Sequence, residues 1–368
     1  MTTESGTRPT IAVLGGGNGA HALAATAVLA GVSVHMYEDP EFAASFAPTR
    51  EGRTIELIEP GGRARARLAC ATHNLDEALA GVTSVHVATN TAGHAPLFAR
   101  LVPRLRPEQT VVVWAGRFGG LRLARALRVA GRGDGIVVAE TNTLPFGTRL
   151  TGPAQVTVFY PARRIFVGTL PARAASTVVD AIRPWCPIAR TAPDILSAAF
   201  RNGAIVVYPV GALFNAGRVE HARGEFYMFR EGITPSVARV IQALYGELER
   251  VGQAFGLDVE HYPESAFAAP HTIEKEEFTD PGGSSAPLND VDGPAAIPTR
   301  YLFENLRDAL PVVAELGRVA GVATPGIDAL IYLGGLLSGD DFWAERQGLA
   351  TLGLDGLDPA SIRARLRE

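Results

Sequence analysis

The sequence predicts an α/β fold in two parts, a doubly wound sheet followed by an all-α C-terminal domain. Three observations support this. A buried strand, a glycine turn and a helix start follow one another over residues 11–23. Strands and helices then alternate through the first half, which is typical of a parallel sheet wound on both faces. From about Ser197 the apolar residues recur at helical spacing and strand-like runs largely disappear. We place the first domain at residues 1–192 and the second at residues 193–368.

The glycine turn over residues 15–20 is the most informative element of the first part. In a Rossmann-type sheet, one glycine lets the chain turn sharply and a second lets the backbone approach a pyrophosphate. A small third residue lets the helix pack on the strand, and the helix N-terminus faces the anion with free N–H groups. The predicted cofactor contacts of the turn are Gly15, Gly17, Asn18, Gly19 and Ala20. The alternative is a glycine-rich turn that binds no ligand.

The next strand ends at an acidic residue, which bears on the choice of cofactor. The helix after the turn ends at Gly31, and Glu38 closes the strand that follows, about 20 residues beyond the turn as the fold requires. A carboxylate there can accept hydrogen bonds from both ribose hydroxyls of an adenosine. Glu38 would repel a 2′-phosphate, and Asp39 follows it. NAD(H) is therefore the favoured cofactor, with NADP(H) as the alternative.

Further strands bring polar residues to the same edge of the predicted sheet. These strands are predicted at residues 82–88, 109–114, 136–140, 156–160 and 164–168, and the last two are expected to finish the sheet. Thr89 and Asn90 follow the first, and Thr141 and Asn142 follow the third. Because the cofactor binds at the carboxyl ends of the strands, Thr89, Asn90 and Thr141 are predicted cofactor contacts. Asn142 is a predicted substrate contact, although backbone turns use the same residue types.

The second part is predicted to be helical. Residues 236–255 carry Val237, Ile241, Leu244 and Leu248 on one face, and Gly256 closes this amphipathic helix. Such a stripe indicates core packing. Residues 262–296 are rich in proline, glycine, serine and acids and are interpreted as a long surface loop, either a mobile lid or a plain linker.

Composition excludes several classes of function. The length of 368 residues with 47% hydrophobic side chains allows about two domains. The net charge of −4 gives no indication of a basic surface that would bind nucleic acid. The arginines that alternate over residues 63–67 are expected on the solvent side of a strand. Cys70 and Cys186 lack paired spacing, and the histidines lack metal-ligand spacing, so no disulfide or metal is predicted. Without a signal peptide core or a convincing membrane span, a cytoplasmic protein is expected.

Several segments resemble the octopine and nopaline dehydrogenase family. They include ETNTLP at residues 140–145, LFNAG at 213–217, REGITP at 230–235, TRYLFE at 299–304 and GVATP at 321–325. The resemblance covers almost the whole chain in order. It implies a nucleotide-binding domain, an all-helical domain and a reaction in the cleft between them. Family members reduce the imine formed from an α-keto acid and an amino group with a nicotinamide hydride. The resemblance also leads us to expect a homodimer with small-molecule partners.

The chain departs from the family at both positions of its acid/base couple. The resemblance implies a histidine before Pro209 and an aspartate after Glu304, but Tyr208 and Asn305 stand there. An imidazolium needs a carboxylate to stabilise it, whereas a neutral phenol needs only a hydrogen-bond partner. Tyr208 is therefore the predicted proton donor, with Asn305 and Arg300 in the catalytic group. The alternative is that Tyr208 only packs in the cleft and that catalysis is altered or lost.

Other polar residues have less specific assignments. Arg201 and Arg300 are candidates for stabilising a Tyr208 phenolate, and Arg300 can instead clamp a substrate carboxylate or pair with Glu304 one helical turn away. Asn202 and Asn215 are predicted substrate contacts, with helix capping and backbone satisfaction as the alternative.

The histidines have weaker assignments. His21 is expected to orient the glycine turn or touch the cofactor, because it stands at the start of the first helix. His94 and His271 are interpreted as surface or loop residues.

Three functions follow from these residues. The favoured one is an NAD(P)H-dependent reductase of a C=N bond, with a keto acid and an amine, or an imine, as substrate. The second is a dehydrogenase of an alcohol/ketone pair, since a tyrosine donor also suits that chemistry. The third is a cofactor-binding protein without catalysis.

Overall fold

The computed structural model describes residues 9–262 and 292–367. Within them the strands are β1 Thr10–Leu14, β2 Ser33–Tyr37, β3 Thr54–Glu59, β4 Gly62–Arg67, β5 Cys70–Thr72, β6 Ser84–Val87, β7 Thr110–Val113, β8 Val137–Thr141, β9 Phe146–Gly152, β10 Gln155–Pro161, β11 Ile165–Leu170 and β12 Ala189–Thr191. The helices of the first part are α1 Asn18–Leu29, α2 Ala43–Gly52, α3 Leu75–Ala78, α4 Thr91–Leu101, α5 Gly119–Val129 and α6 Ala175–Ile182.

Eight strands form the main sheet in the order β12-β11-β8-β7-β6-β1-β2-β5. Every neighbouring pair is parallel except β11 and β8. The central strands consist largely of β-branched residues, such as the buried Val111, Val112 and Val113 of β7, which suits a strand covered on both faces. The strand order turns back at β1 and β6, so their carboxyl ends border a crevice. This confirms the predicted doubly wound fold.

A second sheet, in the order β4-β3-β10-β9, covers the other side of α1. Small buried residues such as Ala22, Ala24 and Ala27 let both sheets approach this helix closely. The prediction that residues 156–160 finish the main sheet is wrong, because β10 pairs with β9 and β3 in the second sheet. Strand periodicity does not specify the pairing partner. The arginines of β4 are exposed and Ala66 is buried, as expected for a solvent-facing strand.

After β12 the described residues form helices and no further strand. They are α7 Ile195–Phe200, α8 Ala204–Leu213, α9 Ala216–Ala222, α10 Pro235–Ala254, α11 Arg300–Leu302, α12 Leu310–Ala320, α13 Pro325–Ser338, α14 Leu349–Leu352 and α15 Pro359–Arg365, with π-helical turns at Met228–Gly232 and Phe303–Arg307. This confirms the all-α second part. Helix α10 matches the predicted helix 236–255 and ends before Gly256, which has a φ of 67°. Most of the predicted loop 262–296, with His271, lies outside the described residues.

The two parts are in direct contact. Helix α7 packs against β8 and β11 of the main sheet, so the chain passes from sheet to helices without a separating linker. The boundary at 192/193 stays a prediction. One apolar stretch, Ile195–Leu213, has the length and hydropathy of a membrane span, but 83% of it is buried inside the molecule. That burial is typical of a core helix.

Candidate active site

The glycine turn forms a tight connection at the carboxyl end of β1. Gly15 has a φ of 120°, and its N–H donates to the Tyr37 carbonyl over 2.8 Å. A Cβ on Gly15 would lie 2.8 Å from the carbonyl oxygen of Ala88. Both the backbone conformation and the close approach of β6 therefore require glycine at this position.

The N-terminus of α1 has the features of an anion site. Its N-cap is Gly17, no side chain caps it among the described residues, and no heavy atom lies within 4 Å of a Cβ placed on Gly17. The start of the helix at Gly17 is thus open on this side, and no side chain occupies the place of an N-cap acceptor. Ala20 is fully buried against the sheet, as predicted from its size. These observations fit the pyrophosphate of a dinucleotide.

Neighbouring side chains hold this helix start in place. The Asn18 side chain accepts a hydrogen bond from the Leu150 N–H over 2.8 Å, and Gly19 lies against Leu144. The buried His21 ring bonds the Gly17 carbonyl over 3.2 Å and the Thr49 hydroxyl over 2.8 Å. His21 thus orients the turn, which is one of the two roles expected for it.

Glu38 lies across the turn at the end of β2. Its carboxylate accepts the Asp39 N–H over 2.6 Å, and a Cβ on Gly16 would come within 2.5 Å of its second oxygen. Burial raises the pKa of Glu38, and the N–H groups of Asp39 and Gly16 oppose that rise. A half-buried carboxylate beside the helix start is in the position where a Rossmann-type fold binds the adenosine ribose.

Of the other predicted contacts at this edge, Asn90 and Thr141 bond backbone groups and Thr89 does not. Asn90 caps α4 by accepting the Gly93 N–H, and the buried Thr89 hydroxyl has no hydrogen-bond partner within the described chain. The Thr141 hydroxyl accepts the Ala115 N–H and donates to the Thr143 carbonyl, each over 2.9 Å.

Asn142 is likewise occupied. Its side chain accepts the Phe166 N–H over 2.8 Å and donates to the Arg201 carbonyl over 3.3 Å. The amide therefore connects β8 to β11 and to the end of α7. The substrate role of Asn142 stays a prediction.

The loop after β7 carries a residue that the sequence analysis missed. Ala115, Arg117 and Phe118 all have positive φ, between 48° and 66°, which concentrates backbone strain at the carboxyl edge. The Arg117 side chain extends into the helical part, where its Nε donates to the Asn305 side-chain oxygen over 3.0 Å. The strand-end rule that selected Thr89 and Thr141 would also have selected Arg117.

Tyr208 lies on α8 within an aromatic group. Its ring stacks on Tyr301, with 4.8 Å between centroids and 12° between planes. Phe229 contacts it edge-on at 5.9 Å. Flanked on two sides, the half-buried phenol is restricted in the directions its hydroxyl can take.

Asn305 is fully buried in the π-helical turn Phe303–Arg307, and both ends of its amide are used. The amide nitrogen donates to the Tyr301 carbonyl over 2.7 Å, while the oxygen accepts from Arg117. Tyr301 thus connects the two unusual positions, because it stacks on Tyr208 and accepts from Asn305. π-Helical turns are frequent at functional sites.

Glu304 lies between two arginines. Its buried carboxylate is 3.4 Å from Arg117 Nη2 and 3.7 Å from Arg300 Nη1. Although desolvation opposes it, the Glu304 carboxylate raises the pKa of Arg300, with smaller contributions from Tyr301 and Tyr208. The Arg300 guanidinium lies 5.2 Å from the centre of the Tyr301 ring. The ion pair with Glu304, which was the alternative to a substrate-binding role of Arg300, is present. We call Tyr208, Tyr301, Arg300, Glu304, Asn305 and Arg117 the Tyr208 cluster.

Arg201 was expected near Tyr208, but it lies outside this cluster. Its guanidinium lies 4.3 Å from the centre of the Phe166 ring and pairs with Asp258 over 2.9 Å. Stacking and ion pairing keep it at the end of α7, away from Tyr208, whereas Arg300 belongs to the cluster.

The two other asparagines have different environments. Asn215 donates to the carbonyls of Gly211 and Gly232 over 2.8 and 3.0 Å, which ties α8 to the π-helical turn Met228–Gly232. This is the backbone-satisfying alternative. Asn202 is 5% exposed, and the described chain gives its side chain no hydrogen-bond partner. The substrate role of Asn202 stays a prediction.

A buried polar network behind the cluster joins the two parts of the chain. Arg122 of α5 donates to the carbonyls of Asp308 and Gln347, and Thr91 of α4 donates to the Asp308 carboxylate. Burial lowers the pKa of Arg122 to about 10. His94 lies beside this network, not on the surface as interpreted, because α4 packs against α5 and leaves its ring 2% exposed.

Within the described residues, no group of three histidine, cysteine, aspartate or glutamate side chains could hold a metal ion.

Known proteins resemble this chain over nearly its whole length. A family model described as the NAD/NADP octopine/nopaline dehydrogenase alpha-helical domain matches residues 191–338. An opine dehydrogenase of Arthrobacter sp. (strain 1C) is 31% identical over 360 residues, which cover 96% of this chain and 98% of that protein.

Two solved structures share the fold. An octopine dehydrogenase with NADH and pyruvate has a TM-score of 0.72 at 19% identity, covering 97% of this chain and 98% of its own. A yersinopine dehydrogenase with NADP+ has a TM-score of 0.66 at 16% identity, covering 98% of both chains.

Proposed function

This chain belongs to the opine dehydrogenase family, and on that premise we propose that it reduces a C=N bond formed from a keto acid and an amino compound, or a related imine. It is an NAD(P)-dependent oxidoreductase that acts on CH–NH groups. The observation that carries the proposed chemistry is the Tyr208 cluster, which presents a phenol beside an arginine.

We propose that the glycine turn and Glu38 hold the dinucleotide, with NAD(H) preferred. The open side at Gly17, the uncapped N-terminus of α1 and the carboxylate of Glu38 support this assignment. Thr89, with its unpartnered buried hydroxyl, is a further candidate contact. When bound, the nicotinamide supplies the hydride.

Tyr208 donates the proton in this proposal. Hydride attack on a C=N carbon is easier when the nitrogen is protonated, so an acid must lie near it. A phenol with an ordinary pKa of about 10 remains protonated at neutral pH but leaves reluctantly as phenolate. The charge of Arg300 lowers that cost, and the Tyr301 stack limits the movement of the ring.

Asn305 positions the cluster without carrying charge. Its amide nitrogen donates to the Tyr301 carbonyl, which a carboxylate oxygen could not do. Its oxygen accepts from Arg117 and so links the sheet edge to the helices. An amide therefore fits this position in a site whose acid is a neutral phenol.

The substrate class is tested by NADH consumption with a keto acid alone, an amine alone, and both together. The proposal predicts consumption only with both. Consumption with the keto acid alone would favour the alcohol/ketone dehydrogenase, for which Tyr208 is also a suitable donor. Tight NADH binding without turnover across a broad panel would favour a cofactor-binding protein without catalysis.

We also propose that the enzyme is a cytoplasmic homodimer. Helix α13 exposes Tyr332, Leu333, Leu336 and Leu337 side by side, with exposed fractions from 39% to 63%. Contiguous apolar patches of this kind mark interaction surfaces. A second copy of the chain could cover this face by packing the same helix against itself.

A further inference from the structure

We propose that Asp39 sets the preference for NADH over NADPH by occupying Arg100, the arginine that would otherwise be available to a 2′-phosphate. The inference rests on the proposed dinucleotide site and adds a residue pair to it. Arg100 belongs to α4, far along the chain from Asp39, so the fold brings the two together.

The geometry ties Arg100 to the end of β2. Its Nη2 pairs with the Asp39 carboxylate, and its Nη1 donates to the Tyr37 hydroxyl over 3.1 Å. Asp39 is itself held, because its other oxygen accepts the Glu41 N–H over 3.1 Å and its own N–H donates to Glu38. The guanidinium is thus fixed one residue from the carboxylate proposed to bind the ribose.

The chemistry of the two cofactors makes this pairing selective. In Rossmann-type sites a carboxylate accepts the 2′-hydroxyl of NAD, whereas a nearby arginine accommodates the 2′-phosphate of NADP. Here Arg100 is present, but the Asp39 carboxylate neutralises its charge and accepts a hydrogen bond from its guanidinium. Glu38 alone would repel a phosphate, and Asp39 removes the cation that could offset this repulsion.

The surroundings leave room for the adenosine end of the cofactor. A cavity of about 320 Å³ lies beside these residues, lined by Tyr37, Pro40, His73 and Arg100 among others. Arg104 also lines it, but Asp76 binds that guanidinium through both oxygens, over 2.8 and 3.2 Å. The cavity therefore contains two arginines, each already paired with an aspartate, which favours a neutral ribose over a phosphorylated one.

The test measures dissociation constants for NADH and NADPH by fluorescence titration in the absence of substrate. Asp39→Asn keeps the oxygen that caps the Glu41 N–H but removes the charge that holds Arg100. We expect the NADPH constant to fall about tenfold, as for one freed charge-assisted hydrogen bond, and the NADH constant to change less than about twofold. Asp39→Glu, which keeps the charge, should retain the wild-type ratio.

Two further variants separate the mechanism from a general loss of negative charge. In Asp39→Asn with Arg100→Ala, the gain in NADPH affinity should disappear. Asp76→Asn, the matched control that frees Arg104, should give a clearly smaller gain. An unchanged ratio in Asp39→Asn, a gain that survives loss of Arg100, or an equal gain in the control would each overturn the inference. Wild-type preference for NADPH would instead refute the proposed NAD(H) preference, while a shifted ratio would still support the Asp39–Arg100 coupling.

Discussion

His94 illustrates how burial changes the chemistry of a single residue. Its ring is 2% exposed and stacks on Phe98 at 5.1 Å between centroids. Burial lowers the pKa of His94 to about 3 and has the same effect on His86. Both are therefore neutral in the folded protein between pH 5 and pH 7.

This burial predicts a loss of stability in mild acid. At pH values below about 6.5, the ordinary pKa of histidine, these imidazoles bind protons in the unfolded chain but not in the folded one. The free energy of unfolding therefore falls as the pH drops. Between pH 7 and pH 5 each buried histidine should cost about 2 kcal/mol. His94→Gln, which does not titrate, should remove one such contribution in urea unfolding at both pH values. The exposed His221→Gln is the control, and an equal acid loss in His94→Gln and wild type would refute the prediction.

Residue roles were only partly predictable from the sequence. The strand-end rule placed Thr141 and Asn142 correctly, yet hydrogen bonds to backbone groups occupy both side chains. The same rule extends to Arg117, but its contact with Asn305, 188 residues away, is encoded by no local pattern. Tyr208 and Asn305 are recognisable in the sequence because they differ from the residues of a known family at those positions. The residue that links them, Tyr301, could be assigned only from its contacts.

At the scale of elements, two glycines of the turn over residues 15–20 should affect stability and cofactor binding differently. Gly15→Ala would place a Cβ 2.8 Å from a carbonyl oxygen at a φ of 120°, so it should weaken both stability and NADH binding. Gly17→Ala meets no protein atom within 4 Å. It should cost no more than about 1 kcal/mol of stability as an N-cap change, yet weaken NADH binding at least about tenfold by blocking the pyrophosphate.

Unfolding and NADH titration of both variants check this pair of effects. NADH binding by Gly17→Ala as tight as in the wild type would refute the assignment of the pyrophosphate to this turn.

Strands and helices with strong local signals were predicted well, and their partners were not. The glycine turn, the alternation through β8 and helix α10 follow from periodicity and punctuation. Strand β10 was assigned to the wrong sheet because pairing with β9 and β3 depends on the path of the chain in space. The second sheet as a unit was missed for the same reason.

At the scale of the whole molecule, the two parts are joined by buried polar contacts in addition to apolar packing. Asp308 receives hydrogen bonds from Thr91 at its carboxylate and from Arg122 at its carbonyl. These contacts begin directly after the predicted cofactor residues Thr89 and Asn90. These contacts therefore tie α4 and α5 of the sheet part directly to the helical part. The sequence suggested a cleft between the two parts but gave no sign of this network.

The exposed face of α13 predicts how copies of the chain assemble. Leu336 is 63% exposed at the centre of the apolar patch. Leu336→Glu places a charge there and should convert a dimer to a monomer in analytical ultracentrifugation without lowering thermal stability of the chain itself. Val129→Glu, at a residue that is 75% exposed and lies at the end of α5, away from this helix, is the control. A wild-type monomer, or a Leu336→Glu dimer, would refute the proposed interface.

The central claim, that Tyr208 supplies the proton for C=N reduction, is tested most directly by hydride transfer in Tyr208→Phe. Phenylalanine keeps the ring that stacks on Tyr301 and removes only the hydroxyl. With keto acid and amine together, the account predicts a rate lower by about 100-fold or more, the usual contribution of a general acid, at unchanged NADH affinity. A rate equal to that of the wild type would contradict it.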